Sequence, residues 1–228
     1  MAWCTEIRSI PFKKTARTLV GYLEKPELEA LLQAPDRSTL LGARDHALLL
    51  FLYNTGARAD EAARLAAGNL QLGTTAAVRI LGKGNKWRIC PLWSPTVAAL
   101  RPLMVNAGAD EPVFGGRTRK PLTRFGIHRI VTTYGKVASV SVPTMATKRV
   151  SPHTLRHTAA AHLLRAGVDI NTIRAWLGHV SVDTTDIYAE VDIDMKAKAL
   201  AKFDITNLPG ALRKRRSTPS LIEFLRGL

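Results

Sequence analysis

Residues 151–191, SPHTLRHTAAAHLLRAGVDINTIRAWLGHVSVDTTDIYAEV, set the tightest limits on how this chain folds. Ser151 followed by Pro152 is a helix start, because a Ser hydroxyl caps free amides and Pro tolerates the first helical position. Leu155, Ala159 and Leu163 recur at helical spacing, and Gly167 is a stop residue. A second helix is predicted from Asp169; it buries Ile170, Ile173 and Leu177 and ends at Gly178, which puts His179 on a turn. Asp183 can cap a third short helix carrying Tyr188. On the first helix His153 and Arg156 sit about 60° apart in projection, so both project from one face near its N-terminus. That end carries the positive pole of the helix dipole, which suits an anion.

Two His, an Arg and a Tyr in this order suit attack on a phosphodiester. Tyr is a poor nucleophile at neutral pH, with an ordinary pKa of about 10. It becomes useful against an anion held by dense positive charge, with a neighbour to take its proton. The Arg fork matches two non-bridging oxygens, and His donates to a phosphate or relays a proton. Taken singly, each residue has a plainer reading: His153 as a helix cap or core contact, Arg156 as solvated, His179 as a turn residue, Tyr188 as core. His46, His157 and His162 keep that plainer reading.

The charge points the same way. The 228-residue chain has a formal net charge of +15 and a pI near 10.4, which favours a polyanionic partner. No Asp or Glu occurs over residues 112–168, while Arg117, Arg119, Lys120, Arg124, Arg129, Lys136, Lys148, Arg149, Arg156 and Arg165 fall inside. A solvated surface normally mixes signs, so this run reads as a nucleic-acid face. Cys4 and Cys90 make neither a disulfide framework nor a metal motif, which fits a reducing interior. The N-terminus lacks an apolar signal core, and the apolar run 47–53 is too short for a bilayer. A soluble, cytoplasmic, nucleoid-associated protein is expected.

Upstream, helices are predicted over residues 25–33, with Leu28, Leu31 and Leu32 facing the core, and over 44–53, apolar enough to be buried. Gly56 breaks the second, and Arg58 starts the next, with Glu61 one turn on to orient its guanidinium or simply to pair with it. Short strands are predicted over 69–72, 76–81 and 86–91. Gly82-Lys83-Gly84-Asn85 forms a tight turn between the last two, with Lys83 at its tip and Lys86 flanking it. A helix over 94–105 and another over 124–134 follow, and residues 137–149, with little helical pattern, are read as a DNA-facing loop. Residues 194–203 are helical, 213–216 form a basic linker, and 217–228 start a short helix with Leu221, Phe224 and Leu225 on one side.

His-Thr-Leu-Arg-His at 153–157, Leu-Gly-His at 177–179 and Tyr188 nine residues on resemble the active-site signature of the tyrosine recombinase (phage integrase) family. Thr55-Gly-Ala-Arg58-Ala-Asp-Glu61 is similar to the family's upstream arginine segment, and Gly-Lys-Gly-Asn-Lys to its hairpin lysine, with Lys83 in the family's position. The resemblance spans residues 18–228 and implies six catalytic residues: Arg58, Lys83, His153, Arg156, His179 and Tyr188. The implied fold is α+β, mainly α, with a small three-stranded antiparallel sheet on one side. Its parts would be a basic arm (1–17), a catalytic domain (18–212), and a basic linker with a docking helix (213–228).

The implied function is site-specific DNA recombination through a 3′-phosphotyrosyl intermediate. Double-stranded DNA is the partner, and neither nucleotide nor metal cofactor is implied. Lys86, Arg117, Arg119, Lys120, Arg124, Lys148 and Arg149 are the candidate DNA contacts, and Glu61 the support for Arg58. A homo-oligomer, tetrameric on two DNA sites with C-terminal helix exchange, is implied too. Family members usually carry an N-terminal helical domain of on the order of a hundred residues, whereas here about twenty precede the catalytic part. A non-recombining DNA-binding regulator, or an enzyme of the topoisomerase IB or telomere-resolvase kind, are the other readings.

Overall fold

Thr39 opens the helix around which the others pack. Its side-chain oxygen accepts the Gly42 amide at 3.0 Å, and helix α2 then runs Leu40–Thr55. The computed structural model describes residues 21–118 and 120–178. Leu48, Leu49, Phe51 and Leu52 on α2 are fully enclosed, as expected of a helix that is apolar all round. It begins four residues ahead of the predicted start because the cap at Thr39 supplies an orphan amide with its acceptor. Helix α1 (Lys25–Gln33) precedes it, with Leu28 and Leu31 buried as predicted and the Glu24 amide donating to the Glu27 carboxylate at 2.7 Å. Gly56 closes α2 in the left-handed region at φ 58°, and α3 (Ala59–Ala63) starts directly after Arg58.

Strands β1 (Leu70–Gln71), β2 (Ala77–Leu81) and β3 (Trp87–Pro91) form a three-stranded antiparallel sheet in the order β1-β2-β3. Val78 pairs with both Leu70 and Cys90, and Val78, Ile80 and Cys90 point into the core. The β2–β3 turn holds Gly84 and Asn85 at positive φ, as its sequence requires. The outward face of β3 is the unusual one. Trp87 and Ile89 are 50% and 67% exposed, while Arg88 shares the inward face with Cys90.

Two further predicted boundaries are corrected. The helix expected over 94–105 is α4 (Ser94–Leu100) followed by a 3₁₀ turn, Arg101–Met104. Pro102 lacks an amide hydrogen and its ring clashes with the preceding turn, so the α-helix cannot continue through it. The helix expected to end at residue 134 is α5 (Arg124–Ser141), which takes in the first part of the segment read as a loop. Ile127, Val131, Gly135 and Ala138 form its buried stripe. Two of these are too small to register as an apolar pattern, while Val137 and Val140 face solvent. A 3₁₀ turn, Pro143–Met145, leads out of α5, with Met145 buried.

Helix α6 (Pro152–Arg165) and helix α7 (Ile170–Leu177) follow the predicted starts and stops. Ser151 Oγ accepts the Thr154 amide at 3.2 Å; Asp169 Oδ1 accepts those of Asn171 and Thr172 at 2.9 and 3.0 Å. Gly167 and Gly178 take φ of 87° and 64°. α6 packs against α2 and α7, α7 against β3, and α5 against α1 and α3. Thr158 of α6 also accepts the Leu23 amide at 3.0 Å, which ties the entry of the chain to the core. The predicted elements beyond Gly178 lie outside the described residues.

A Cβ on Gly135 would stand 2.6 Å from Val150 Cβ, a buried branched carbon with no flexible end to move. Overpacking of about 1–3 kcal/mol outweighs the helix-propensity gain of about 1 kcal/mol. Gly135→Ala therefore lowers the urea midpoint by an amount equivalent to about 1 kcal/mol, with an unchanged slope.

His157 is buried on α6 with its ring 5.4 Å from that of His153. Burial first, then the charges of His153 and Arg156, push its pKa from 6.5 down to about 4. The unfolded chain therefore binds this proton first, and stability falls as pH drops from about 6.5 to about 4, levelling below. His157→Gln removes on the order of 2–3 kcal/mol of that pH dependence, read as the difference between two series of urea melts.

Candidate active site

The site grows from two helix starts and one helix end. Arg58 occupies the N-cap of α3, and its backbone amide donates to Glu61 Oε2 at 2.9 Å while its Nη1 donates to Oε1 at 2.8 Å. The Glu61 side chain is 2% exposed and that of Arg58 34%, so the carboxylate anchors from within a guanidinium that reaches outward. Burial would raise the Glu61 pKa, but the hydrogen bond and charge of Arg88, with the bonds from Arg58, hold it below the ordinary carboxylate range. Arg88 donates Nη2 to Glu61 Oε2 at 2.6 Å, from a side chain only 8% exposed.

Arg156, on the first turns of α6, is 3% exposed. Its Nη1 donates to the Gly56 carbonyl at 2.5 Å and its Nη2 to the Leu177 carbonyl at 2.7 Å. The second acceptor belongs to the last turn of α7, whose carbonyls lack helical partners and form the negative end of the helix dipole. Arg88 Nε takes the neighbouring Trp176 carbonyl at 3.1 Å. Two guanidiniums thus hold the end of α7 just before His179. The Trp176 indole donates to the Asn54 carbonyl at 3.0 Å, which fixes the same turn to the end of α2. At Gly56 an added Cβ would come within 2.2 Å of Leu177 Cδ2, so this approach of α2 to α7 needs a glycine.

His153 stands exposed at the N-terminal end of α6. Partial desolvation, then the charges of Arg156 and Arg58, lower its pKa, so its imidazole is neutral at pH 7 and able to accept a proton. His153, Arg58, Arg124, Phe125, His128, Lys148 and Arg149 line a cleft of about 800 Å³. The mouth is basic, and its inner wall is the capped start of α6.

The structure thus brings Arg58, Glu61, His153 and Arg156 together, with Arg124 and Arg149 beside them. Lys83 and Lys86 sit exposed on the β2–β3 turn, outside the residues that line the cleft. The root of that turn is close by: a Cβ at Gly82 would lie 3.4 Å from Arg88 Nη1 and 3.5 Å from Glu61 Oε1. Arg117 lines a different groove, with Leu40, Leu103 and Val113, and Lys120 is exposed on the approach to α5. Lys148 borders the cleft, but its ammonium is held by Glu27 at 2.6 Å and by the Tyr22 carbonyl at 3.1 Å. Arg165 is paired with Glu24 at 2.8 Å, some 18 Å from His153 along α6. Arg119, His179 and Tyr188 lie outside the described residues.

Sequence reasoning missed Arg88 and His128. For Arg88 the signal was present: period-2 alternation puts it on the face of Cys90, which the sheet buries, and a buried guanidinium needs an acid. His128 lies one turn into α5, and only packing turns it toward the cleft.

The phage integrase family model matches residues 21–194. The integrase/recombinase y4rC of Sinorhizobium fredii is 41% identical over 224 residues, covering 97% of this chain and 67% of its own length. The tyrosine recombinase XerD of Staphylococcus epidermidis is 35% identical over 199 residues, covering 83% of this chain and 64% of its own. This chain therefore spans about two thirds of the length of the curated relatives it matches. Among solved structures, the XerA recombinase superposes with a TM-score of 0.67 at 29% identity, over 81% of this chain and 66% of that one. XerH bound to a palindromic difH substrate in a post-cleavage complex gives 0.68 at 24% identity, over 83% and 55%, a likeness of fold. The match across most of the chain, joined to an Arg–His cleft built on the family's signature segments, places this chain in the phage integrase family of tyrosine recombinases.

Proposed function

We propose that this chain cleaves and rejoins DNA at specific sites through a 3′-phosphotyrosyl intermediate. The observation that supports it most is a basic cleft lined by Arg58 and a neutral His153, with the buried Arg156 close enough behind His153 to lower its pKa. The oxygen of Tyr188 attacks the phosphorus, the bond to the 5′ oxygen breaks, and the 3′ phosphate is left on the tyrosine. His153 takes the phenolic proton, and Lys83 gives one to the departing 5′ oxygen. Arg58 and Arg156, with a hydrogen bond from His179, hold the non-bridging oxygens as charge builds. Fixed donors in a half-buried site stabilise that charge without reorganising at the moment of reaction. A 5′ hydroxyl from a second strand reverses the step. The phosphodiester energy is kept in the covalent link, so no nucleotide is consumed.

DNA lies along the face that carries Arg124 and Arg149, with Lys86 on the hairpin; Arg117 and Lys120, outside the cleft lining, and Arg119 are further candidate contacts. Lys148, neutralised by Glu27, shapes the wall more than it adds charge. The catalytic part spans 18–212, after a basic arm over 1–17. Residues 213–228 supply a basic linker and a helix that docks on a neighbouring copy in a homo-oligomer, tetrameric when two DNA sites are joined.

A pool of nicked duplexes with randomised flanks, captured by denaturant-resistant attachment to the chain and then sequenced, tests the reaction and identifies its target. Adducts form with the wild-type chain and are lost in Tyr188→Phe; their absence from the wild type overturns the proposal. Arg58→Ala reduces the single-turnover cleavage rate by on the order of 10²–10³. Because His153 acts in its neutral form with a lowered pKa, the rate holds steady from pH 8 to the ordinary imidazole value of 6.5 and falls only below it. His153→Gln abolishes that acid limb and leaves a slower, flatter profile.

A further inference from the structure

We infer that Arg88 is a positioning residue for the phosphate clamp: it neutralises Glu61, so that the carboxylate orients Arg58 without cancelling its charge, and its guanidinium also holds the last turn of α7. The inference rests on the reaction proposed above for the role of Arg58, and on observed contacts for everything else.

Consider Arg58 and Glu61 alone. A carboxylate that accepts from both the amide and the guanidinium of Arg58 would fix that side chain well. It would also leave a neutral pair facing the DNA, and a neutral pair attracts a phosphate weakly. Arg88 changes the balance. Its Nη2 lies 2.6 Å from Glu61 Oε2, so the three groups together carry one positive charge. The charge is also well placed, because Arg88 and Glu61 are 8% and 2% exposed whereas Arg58 is 34% exposed and lines the cleft. The inner two groups form a hidden pair, and the outer guanidinium is left to meet the anion.

The same guanidinium reaches the two neighbouring catalytic segments. Its Nε donates to the Trp176 carbonyl at 3.1 Å, inside the last turn of α7. A Cβ on Gly178, which has φ +64°, would stand 3.1 Å from Arg88 Cδ, and one on Gly82 would stand 3.4 Å from Arg88 Nη1. Gly82 immediately precedes Lys83, and Gly178 immediately precedes His179. At Gly178 a side chain would press on Arg88, whereas at Gly82 it would meet the Arg88–Glu61 pair at ordinary contact distance.

The test compares Arg88→Met, Arg88→Lys and the double variant Arg88→Met/Glu61→Gln with the wild type. The first readout is independent of activity: the Glu61 carboxyl carbon is followed by NMR through an acid titration. Glu61 stays ionised to low pH in the wild type, and its titration midpoint moves up in Arg88→Met; an unmoved midpoint overturns the inference. The second readout is single-turnover cleavage of the selected nicked duplex. Arg88→Met slows it by on the order of 10², and DNA affinity changes by less than about threefold, because Arg88 does not touch the duplex.

Arg88→Lys keeps the charge and recovers most of the rate. The double variant regains about tenfold over Arg88→Met, because the carboxylate that required neutralising is gone. Additive losses in the double variant assign Arg88 to packing and overturn the inference. If Arg88→Met does not fold, the double variant decides: recovered folding supports the charge argument, and a second unfolded protein rejects it. If the wild-type chain forms no adduct, the recombination reading fails, while the Glu61 titration still judges Arg88.

Discussion

A buried carboxylate between two guanidiniums is the interaction on which the site depends. Glu61 is almost wholly withdrawn from water, and withdrawing an ion costs several kcal/mol unless every lone pair finds a strong donor. Here the donors come from the amide and side chain of Arg58 and from Arg88 on a strand 27 residues away. The carboxylate therefore does more than pair with one arginine. It fixes the distance between α3 and the sheet, and the β2–β3 turn with Lys83 springs from that sheet. Its lowered pKa has the same origin: donors that favour the ion outweigh the burial that opposes it.

Around that centre the end of α7 is treated as an anion. Arg156 takes the Leu177 carbonyl and Arg88 takes that of Trp176, so two cations sit at the negative end of a helix dipole. The left-handed Gly56 leaves room for the Leu177 side chain, and the left-handed Gly178 leaves room for that of Arg88. The arrangement holds Arg156 by contacts with backbone, which does not move as a side chain would. A donor so held needs little rearrangement when charge develops, and this is what an electrostatic catalyst requires.

Net charge alone describes the surface poorly. The acid-free run from 112 to 168 reads as an unbroken basic face, yet α1 reaches across to it: Glu27 takes Lys148 and Glu24 takes Arg165. The run is thereby sorted into residues whose charge is internally answered and residues such as Arg124 and Arg149 that border the cleft. A sequence shows how many charges a segment carries. Which of them face outward depends on what packs beside it.

The chain by itself determined the starts and ends of its helices, since caps and stops are local chemistry. Ser151 with Pro152, Asp169, Gly56, Gly167 and Gly178 act within one turn of themselves, and each did so where its neighbours indicated. It also determined the signature residues, whose order along the chain is a property of the sequence. Tertiary structure decided the rest. The second half of α5 is helical where Gly135 fits under Val150 and Ala138 lies buried, a reason that no propensity encodes. Arg88 became part of the site because a strand twisted its side chain onto Glu61, and Lys148 became structural because Glu27 lay across from it. In each case the deciding partner is distant in sequence, so the energy that fixes the residue exists only once the chain has closed on itself.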